Sequence, residues 1–461
     1  MVHHSKAFEL KNNETLERRD PAAICGMDRK DVVFRPFDGS EPATWSQGGG
    51  IREALAPLAP TMALFALTLF DRALTALNPF HRVPAPLLGV VLVVVVGVYL
   101  RHRREATWEQ VARFFEPAQY FLTHRYLALF YSPALVLLPV ALPLEKLTMQ
   151  LVTRVLFIVV IGCLLTAVTT AFLVKSIRRV SHNGHKVPDS VEQDDVRFSA
   201  RFIVVWLMIG CVGSALAWWS WRFVTLSQLA LSVGVYCLSV RIPRPANLLL
   251  NPMVVIAVAM NAQAFLLGRV HENMTYRAAI DVYSRTVRPV FFSQLGPIIF
   301  CFAISVVQRW DLIVAHRLEL TLGCFASAAF TVVSTAFLSI PLIDDPLVTR
   351  SLLSRGMTVA LALENNKLLQ GSEAITAAAV ALTAALGSIM IRPLLTVMGA
   401  TDVIVRGVTA AATAHGMGAA VLGQTEPDAL PYAGLAYVIC GVSGVVFTMM
   451  TQSLLLEWTS R

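Results

Sequence analysis

The chain has 461 residues, of which 56% are hydrophobic and only 15% are charged. Soluble proteins carry about 25% charged residues, so the composition excludes an ordinary soluble protein and predicts a polytopic membrane protein. The net charge of +8 does not indicate nucleic acid as a partner, because the basic residues cluster next to apolar runs, as the positive-inside rule describes for membrane proteins.

The chain begins with a polar, acid-containing stretch, 1–50, which predicts a disordered tail. A helix needs about 20 apolar residues to cross a bilayer. Runs of about this length lie near 53–70, 85–100, 126–144, 150–174, 200–221, 225–240, 247–267, 289–307, 318–342, 373–391 and 431–456. Two further apolar pieces, 351–363 and 403–423, are short or interrupted by glycine. The predicted fold is all-α, with about eleven to thirteen membrane segments.

Polar stretches divide this pattern into domains. We expect a cytosolic tail over 1–50, a four-helix membrane unit over 51–174, a polar linker over 175–199 and a larger membrane domain over 200–461. Three basic clusters follow even-numbered spans, which predicts a cytoplasmic N-terminus and leaves the organelle open.

The larger domain contains an internal echo. The segment Arg355-Gly-Met-Thr-Val-Ala-Leu-Ala362 resembles Arg406-Gly-Val-Thr-Ala-Ala-Ala-Thr-Ala414, and each follows a longer apolar span. Repeats that carry short, glycine-interrupted membrane segments are typical of transporter sites, where half-helix ends meet near the midplane. The echo therefore predicts broken helices around a polar site, in either parallel or inverted copies.

Two arginines of the echo are candidate ligands of a substrate carboxylate. A guanidinium matches a carboxylate bidentately, which gives Arg355 and Arg406 this role. In the alternative, structural interpretation they reach the membrane interface or pair with a nearby acid, Asp344, Asp345 or Asp402.

His415 is either a packed core histidine or a residue that binds substrate or carries a proton. Gly416 and Gly418 favour a functional role, because glycine lets backbone or ligand approach closely. The hydroxyls of Thr358, Thr409 and Thr413 are candidate donors to a hydroxy acid, although a membrane threonine often bonds its own helix.

Other candidates lie at expected helix ends. Asn251 would cap a helix, and Gly296 with Pro297 would break one, either for structural reasons or as part of the substrate site. Glu426 is a second candidate for proton coupling beside His415. We find no catalytic motif, no cofactor-binding motif and no metal-ligand spacing, and we do not expect an enzyme.

Several of these motifs, in order, resemble the LrgB (CidB) family and its plant branch, the plastidal glycolate/glycerate translocators. They are Arg355–Leu363, Ile375–Thr383, Arg406–Gly418 and Glu426–Pro431. The front half, with Phe114-Phe-Glu-Pro-Ala118 and Tyr131-Ser-Pro133, resembles the LrgA (CidA) partner fused in frame. Gly356 stands where the family usually has serine.

The resemblance implies a secondary transporter of small monocarboxylates of the glycolate or glycerate type, with protons as the candidate coupling ion. The implied partners are a small carboxylate substrate, the lipid bilayer and a second copy in a homodimer. The bacterial members imply an alternative function, a holin-like pore or a membrane assembly protein that regulates murein hydrolases.

Overall fold

A computed structural model describes residues 59–78, 84–141, 148–181, 198–217, 222–242, 252–270, 275–423 and 426–460. The expected tail over 1–50 and the candidate Asn251 lie outside these residues. Every regular element within the described ranges is a helix, which confirms the all-α prediction. Helices suit the bilayer because they satisfy their backbone hydrogen bonds internally.

Among its described residues, the front part of the chain forms eight helices. These are α1 Ala59–Leu77, α2 Ala85–Arg103, α3 Glu105–Gln119, α4 Leu127–Val136, α5 Leu138–Ala141, α6 Met149–Ser181, α7 Ala200–Leu216 and α8 Arg222–Ser239. A π-helical turn, Tyr120–Arg125, joins α3 to α4. The apolar pattern alone missed α3, because this helix is largely polar and buries only Trp108, Ala118 and Gln119.

The described residues from 252 onward form ten more helices. These are α9 Pro252–Val270, α10 Tyr276–Phe292, α11 Leu295–Gln308, α12 Trp310–Ala315, α13 Gly323–Ser339, α14 Pro346–Leu352, α15 Val359–Leu369, α16 Glu373–Val397, α17 Val403–Gly423 and α18 Leu430–Trp458. A π-helical segment, Leu318–Leu322, precedes α13, and a 3-10 turn, Leu353–Gly356, lies between α14 and α15.

Nine helical stretches among the described residues are long and apolar enough to cross a membrane, and two shorter apolar helices lie at 200–216 and 223–239. Large side chains on α2 face outward, where they can meet lipid, since Val91, Val95 and Tyr99 are exposed. The chain is therefore a multi-pass membrane protein, as predicted.

The core that positions the site is built around α6 and α18. Helix α6 packs against α13, α16 and α17, while α18 packs against α13, α15 and α17. Helices on both sides of the expected linker thus contact each other, and the described residues after 54 form one compact unit. The domain boundaries at 174 and 200 stay predictions.

Candidate functional site

Helix α17 is a hairpin rather than a straight rod. Its helical geometry fails at Ala414 (φ −133°, ψ 17°) and His415 (φ 52°, ψ −138°). A side chain at Gly418 would overlap the carbonyl oxygen of Ala410, although eight residues of straight helix would separate the two by about 12 Å. The arms 403–413 and 416–423 therefore fold back on each other, and we call this element hairpin 2, with its tip at Ala414 and His415.

A second hairpin is formed by α14, the 3-10 turn and α15, over 346–369, and we call it hairpin 1. Near its tip, Asn365 Nδ2 donates to Ser354 Oγ at 2.9 Å, which joins the two arms. At its base, the Ser351 hydroxyl oxygen accepts from the backbone N–H of Ser372 at 2.8 Å. The turn between the arms, 355–358, is the tip of hairpin 1.

The two hairpins start at opposite ends of α18. At the base of hairpin 1, Arg350 donates to the Leu456 carbonyl (3.3 Å) and Gln452 donates to the Leu368 carbonyl (2.8 Å). A Cβ at Gly407, near the base of hairpin 2, would lie 2.7 Å from the Ala429 carbonyl oxygen, next to the first residue of α18. Because α18 has 29 residues and is about 43 Å long, the hairpins enter from opposite faces.

The hairpin tips touch each other. His415 Nε2 of hairpin 2 lies 2.9 Å from the carbonyl oxygen of Arg355 in hairpin 1. A carbonyl oxygen only accepts, so Nε2 is the donor and carries a proton. Gly441 and Gly444, near the middle of α18, pack against Leu361 and Met357 of hairpin 1. The tips therefore meet about halfway along the spanning helix, as the glycine-interrupted segments predicted.

The Arg355 side chain at this meeting point is a buried cation. It is 1% exposed, and its Nε donates to Thr335 Oγ1 at 2.9 Å. Among the described residues, no acid forms an ion pair with it and Nη2 has no hydrogen-bond partner. A charge left unpaired in a membrane interior is costly and typically marks a functional site.

Helix α6 supplies the wall beside this cation. A side chain at Gly162 would overlap the guanidinium, so only glycine leaves room for Arg355 here. The Cys163 thiol lies next to the guanidinium, and Thr166 Oγ1 is 3.2 Å from Thr331 Oγ1 of α13. The arginine pocket is thus shared by α6, α13 and hairpin 1.

A crevice too narrow to admit a water molecule borders the tip of hairpin 1. Its lining consists of Ala328, Thr331, Val332, Leu353, Gly356, Met357 and Gly444. A side chain at Gly356 would overlap Thr331, so the serine usual at this position in the resembled family does not fit the present arrangement.

Two half-helices begin at the tips. Thr358 precedes the first residue of α15, and His415 precedes the arm 416–423. The first N–H groups of a helix have no intrahelical acceptor and carry the positive end of the helix dipole, which favours anions. The Thr358 and Thr413 hydroxyls are buried and lack hydrogen-bond partners in the part of the chain that the structure describes. A cation, two helix N-termini and hydroxyls suit a small hydroxy-carboxylate.

The structure places the other predicted site residues as follows. Thr409 is fully buried one turn before Thr413, and its hydroxyl likewise lacks a partner among the described groups. Gly416 opens the second arm of hairpin 2, where an added Cβ would meet nothing within 4 Å. Gly418 supports the close approach of the two arms.

The position of Arg406 differs most from the predicted role as a ligand of the substrate carboxylate. It lies in the first turn of α17, at the base of hairpin 2, and its guanidinium forms a two-point ion pair with Glu426. Arg406 Nη1 also donates to the Ala400 carbonyl at 2.8 Å. Arg406 therefore fits the structural interpretation, in which the arginine pairs with an acid of the protein. That acid is Glu426 rather than Asp402. The two arginines of the echo do not occupy equivalent positions, and neither Arg406 nor Glu426 lies at the tips.

Gly296 and Pro297 lie in the first turn of α11, directly after the break between Phe292, where α10 ends, and Leu295, where α11 begins. A side chain at Gly296 would overlap the Asp71 carboxylate of α1. The break therefore makes room for an acid of α1, and the structure does not bring these two residues to the hairpin tips.

Sequence reasoning missed three residues around the guanidinium, Gly162, Thr331 and Thr335. A signal was present for the threonines, since Ser327, Thr331, Thr335 and Ser339 recur every four residues and so share one face of a helix. Their hydroxyls donate to backbone oxygens four residues earlier. Nothing in the sequence around Gly162 indicates which side chain fills the space beside it.

Opposed half-helices that meet inside a multi-pass membrane protein are typical of membrane transporters built from repeats. Residues 232–454 match the model of the LrgB-like family. The predicted resemblance is thereby confirmed.

The chain is 27% identical over 394 residues to plastidal glycolate/glycerate translocator 1, chloroplastic, of Arabidopsis thaliana, an alignment that covers 79% of this chain and 73% of that protein. It is 25% identical over 158 residues to the uncharacterized protein YwbG of Bacillus subtilis (strain 168), with 34% of this chain and 67% of that protein covered. No solved structure matches. These similarities support a membrane transporter rather than an enzyme.

Proposed function

We propose that the protein is a secondary transporter of small monocarboxylates of the glycolate and glycerate type, and that Arg355 binds the substrate carboxylate. The observation that carries the proposal is the buried guanidinium, which has no acid partner among the described residues and lies where the two hairpin tips touch. A substrate carboxylate would supply the missing counter-charge and accept a charge-assisted hydrogen bond from Nη2.

The tips also offer groups for the rest of a hydroxy acid. The first turn of α15 and the first turn of 416–423 present backbone N–H groups to an anion. Thr358 and Thr413 offer buried hydroxyls that lack partners among the described residues, and these can bond the substrate 2-hydroxyl. An unsubstituted carboxylic acid would leave them unpaired, which is the kind of loss that gives a site selectivity.

The opposed hairpins provide a route for alternating access. Each hairpin separates the tips from one membrane face, because each enters from its own end of α18. Displacement of one hairpin at a time would open Arg355 to one side while the other hairpin stays closed, as expected of transporters with inverted repeats. The homodimer and the cytoplasmic N-terminus stay predictions.

The alternative function is a holin-like pore, suggested by the LrgB-like region. A pore predicts leakage of unrelated solutes of similar size, whereas a carrier predicts saturable and selective exchange. The contact between His415 and Arg355 at 2.9 Å favours the carrier, since it joins the two hairpin tips instead of leaving an opening between them.

Counterflow in proteoliposomes tests the proposal. Purified protein is reconstituted with unlabelled glycolate inside, and uptake of labelled glycolate, glycerate, lactate and pyruvate is followed. We expect saturable uptake that unlabelled hydroxy acids inhibit, with no entry of labelled sucrose. Exchange of none of the four acids would refute the substrate class, and parallel entry of sucrose would identify a pore.

A further inference from the structure

A second buried charge lies outside the tips, at Glu319. This residue belongs to the π-helical segment Leu318–Leu322 that leads into α13, and its side chain is 0% exposed. In the part of the chain that the structure describes, neither carboxylate oxygen has a hydrogen-bond partner. Its ion-pair contact is Arg178 Nη1 of α6, at 3.5 Å. An ionised carboxylate buried with so little support is costly.

Arg178 is shared with a second acid. Its Nε and Nη2 donate to Asp402 Oδ2 at 3.1 and 3.0 Å. Asp402 Oδ1 in turn accepts from the backbone N–H groups of Ile404 (2.9 Å) and Val405 (3.2 Å). Asp402 is therefore the N-terminal cap of hairpin 2, and one guanidinium serves both this cap and Glu319.

Two aromatic residues, Tyr432 and His316, lie in the same region. Tyr432 of α18 faces the same cluster of Arg178, Asp402 and Glu319, and the ring of His316 lies 5.4 Å from the Tyr432 ring. The Arg178 guanidinium contacts both carboxylates. Arg178 and Asp402 have side-chain exposures of 21% and 36%, so protons can reach the cluster from the face where hairpin 2 enters.

We propose that Glu319 is the proton-binding carboxyl of the transport cycle, an inference that rests on the proposed function. When Glu319 is ionised, it attracts Arg178 away from Asp402 and weakens the cap of hairpin 2. When Glu319 binds a proton, Arg178 pairs with Asp402 and stabilises the base of hairpin 2. One proton carried with one monocarboxylate anion moves no net charge, so a pH gradient drives the cycle and a membrane potential does not.

The test uses Glu319→Gln in proteoliposomes with an imposed pH gradient. Wild-type protein should accumulate labelled glycolate above equilibrium and should carry protons into the lumen, reported by an internal pH dye. The variant should lose both signals, to the level of protein-free liposomes, while exchange of labelled for unlabelled glycolate continues. Accumulation by Glu319→Gln at the wild-type level would overturn the proposal, as would accumulation that follows a sodium gradient instead.

Glu373→Gln is the matched control. Glu373 is also a membrane-helix acid in an ion pair, with Arg288, but both partners are 31% exposed. The same loss of one charge at this position should leave proton-driven accumulation intact. Loss of coupling in both variants would contradict a specific role for Glu319.

A readout without transport separates this inference from the proposed function. Infrared difference spectra of the purified protein across a pH series should show one buried carboxyl band that is absent in Glu319→Gln and present in Glu373→Gln. If this band is present but no carboxylate is transported, the proton site stands and the substrate class fails. If the band is unchanged in Glu319→Gln, the proton site is wrong even where transport is real.

Discussion

Hairpin 1 and hairpin 2 contain the same sequence motif at different structural positions. In hairpin 1 the motif arginine, Arg355, lies at the tip, where it is buried and unpaired by any described acid. In hairpin 2 the motif arginine, Arg406, lies at the base and is paired with Glu426. Breaking a buried ion pair by removing one partner is strongly destabilising, so Arg406 depends on Glu426, whereas Arg355 is free to pair with an incoming anion.

The structural counterpart of Arg406 is Arg350. Arg350 likewise lies at the base of its hairpin, where it donates to Thr459 Oγ1 at 3.0 Å and to the Leu456 carbonyl at 3.3 Å. The sequence echo is therefore out of register with the structural repeat. The similarity of the two sequence segments identified both hairpins correctly. It assigned the same role to Arg355 and Arg406, although one lies at a hairpin tip and the other at a hairpin base.

The largest expected effect is on transport at the tip. Arg355→Gln should lower kcat/KM for glycolate by roughly 30-fold or more, since loss of one partner of a buried charge pair costs about 2–5 kcal/mol. Its thermal stability should be unchanged or higher, because an unpaired buried charge is removed. Counterflow and thermal unfolding in detergent are the measurements, and near-normal counterflow would remove the distinction between the two arginines.

Arg406→Gln should show the opposite pattern. The variant leaves the carboxylate of Glu426 without its cation. The free energy of unfolding should therefore fall by about 2 kcal/mol, a loss between those typical of surface ion pairs and of buried ion pairs. The double variant Arg406→Gln with Glu426→Gln should recover part of this stability. If the single variant is as stable as wild type, the ion pair does not hold the base of hairpin 2.

A smaller effect is expected from the wall of the arginine pocket. The added methyl of Gly162→Ala would overlap the Arg355 guanidinium and should raise KM about tenfold, within the usual 1–3 kcal/mol cost of overpacking. Gly323→Ala is the control, because its Cβ would meet only Val174 Cγ2 at 3.2 Å and Ile177 Cδ1 at 3.9 Å. Equal KM values for the two variants would show that the Arg355 guanidinium does not lie beside Gly162.

The smallest effect concerns the strained tip of hairpin 2. His415 has φ 52°, a conformation that costs a non-glycine residue about 1–3 kcal/mol. Both His415→Ala and His415→Gly lose the bond to the Arg355 carbonyl, but glycine relieves the backbone strain. The glycine variant should therefore be more stable by about 1 kcal/mol in thermal unfolding, whereas a more stable alanine variant would argue against this backbone conformation.

The sequence predicted the parts of this architecture that depend on local composition. Apolar runs predicted most spanning helices, and the small residues around His415 predicted the break in α17. It could not predict the pairing of Arg406 with Glu426, because that contact requires the chain to reverse at Ala414 and His415. Nor could it assign Gly162 to the pocket of Arg355, since no local pattern encodes which helices meet in the folded chain.

Equilibrium binding of labelled glycolate to the purified protein in detergent tests the central claim most directly. Wild-type protein and Arg406→Gln should bind glycolate saturably, with competition by unlabelled glycerate, and Arg355→Gln should show no saturable binding. Binding by Arg355→Gln with wild-type affinity would contradict the claim that the buried arginine at the hairpin tips holds the substrate carboxylate.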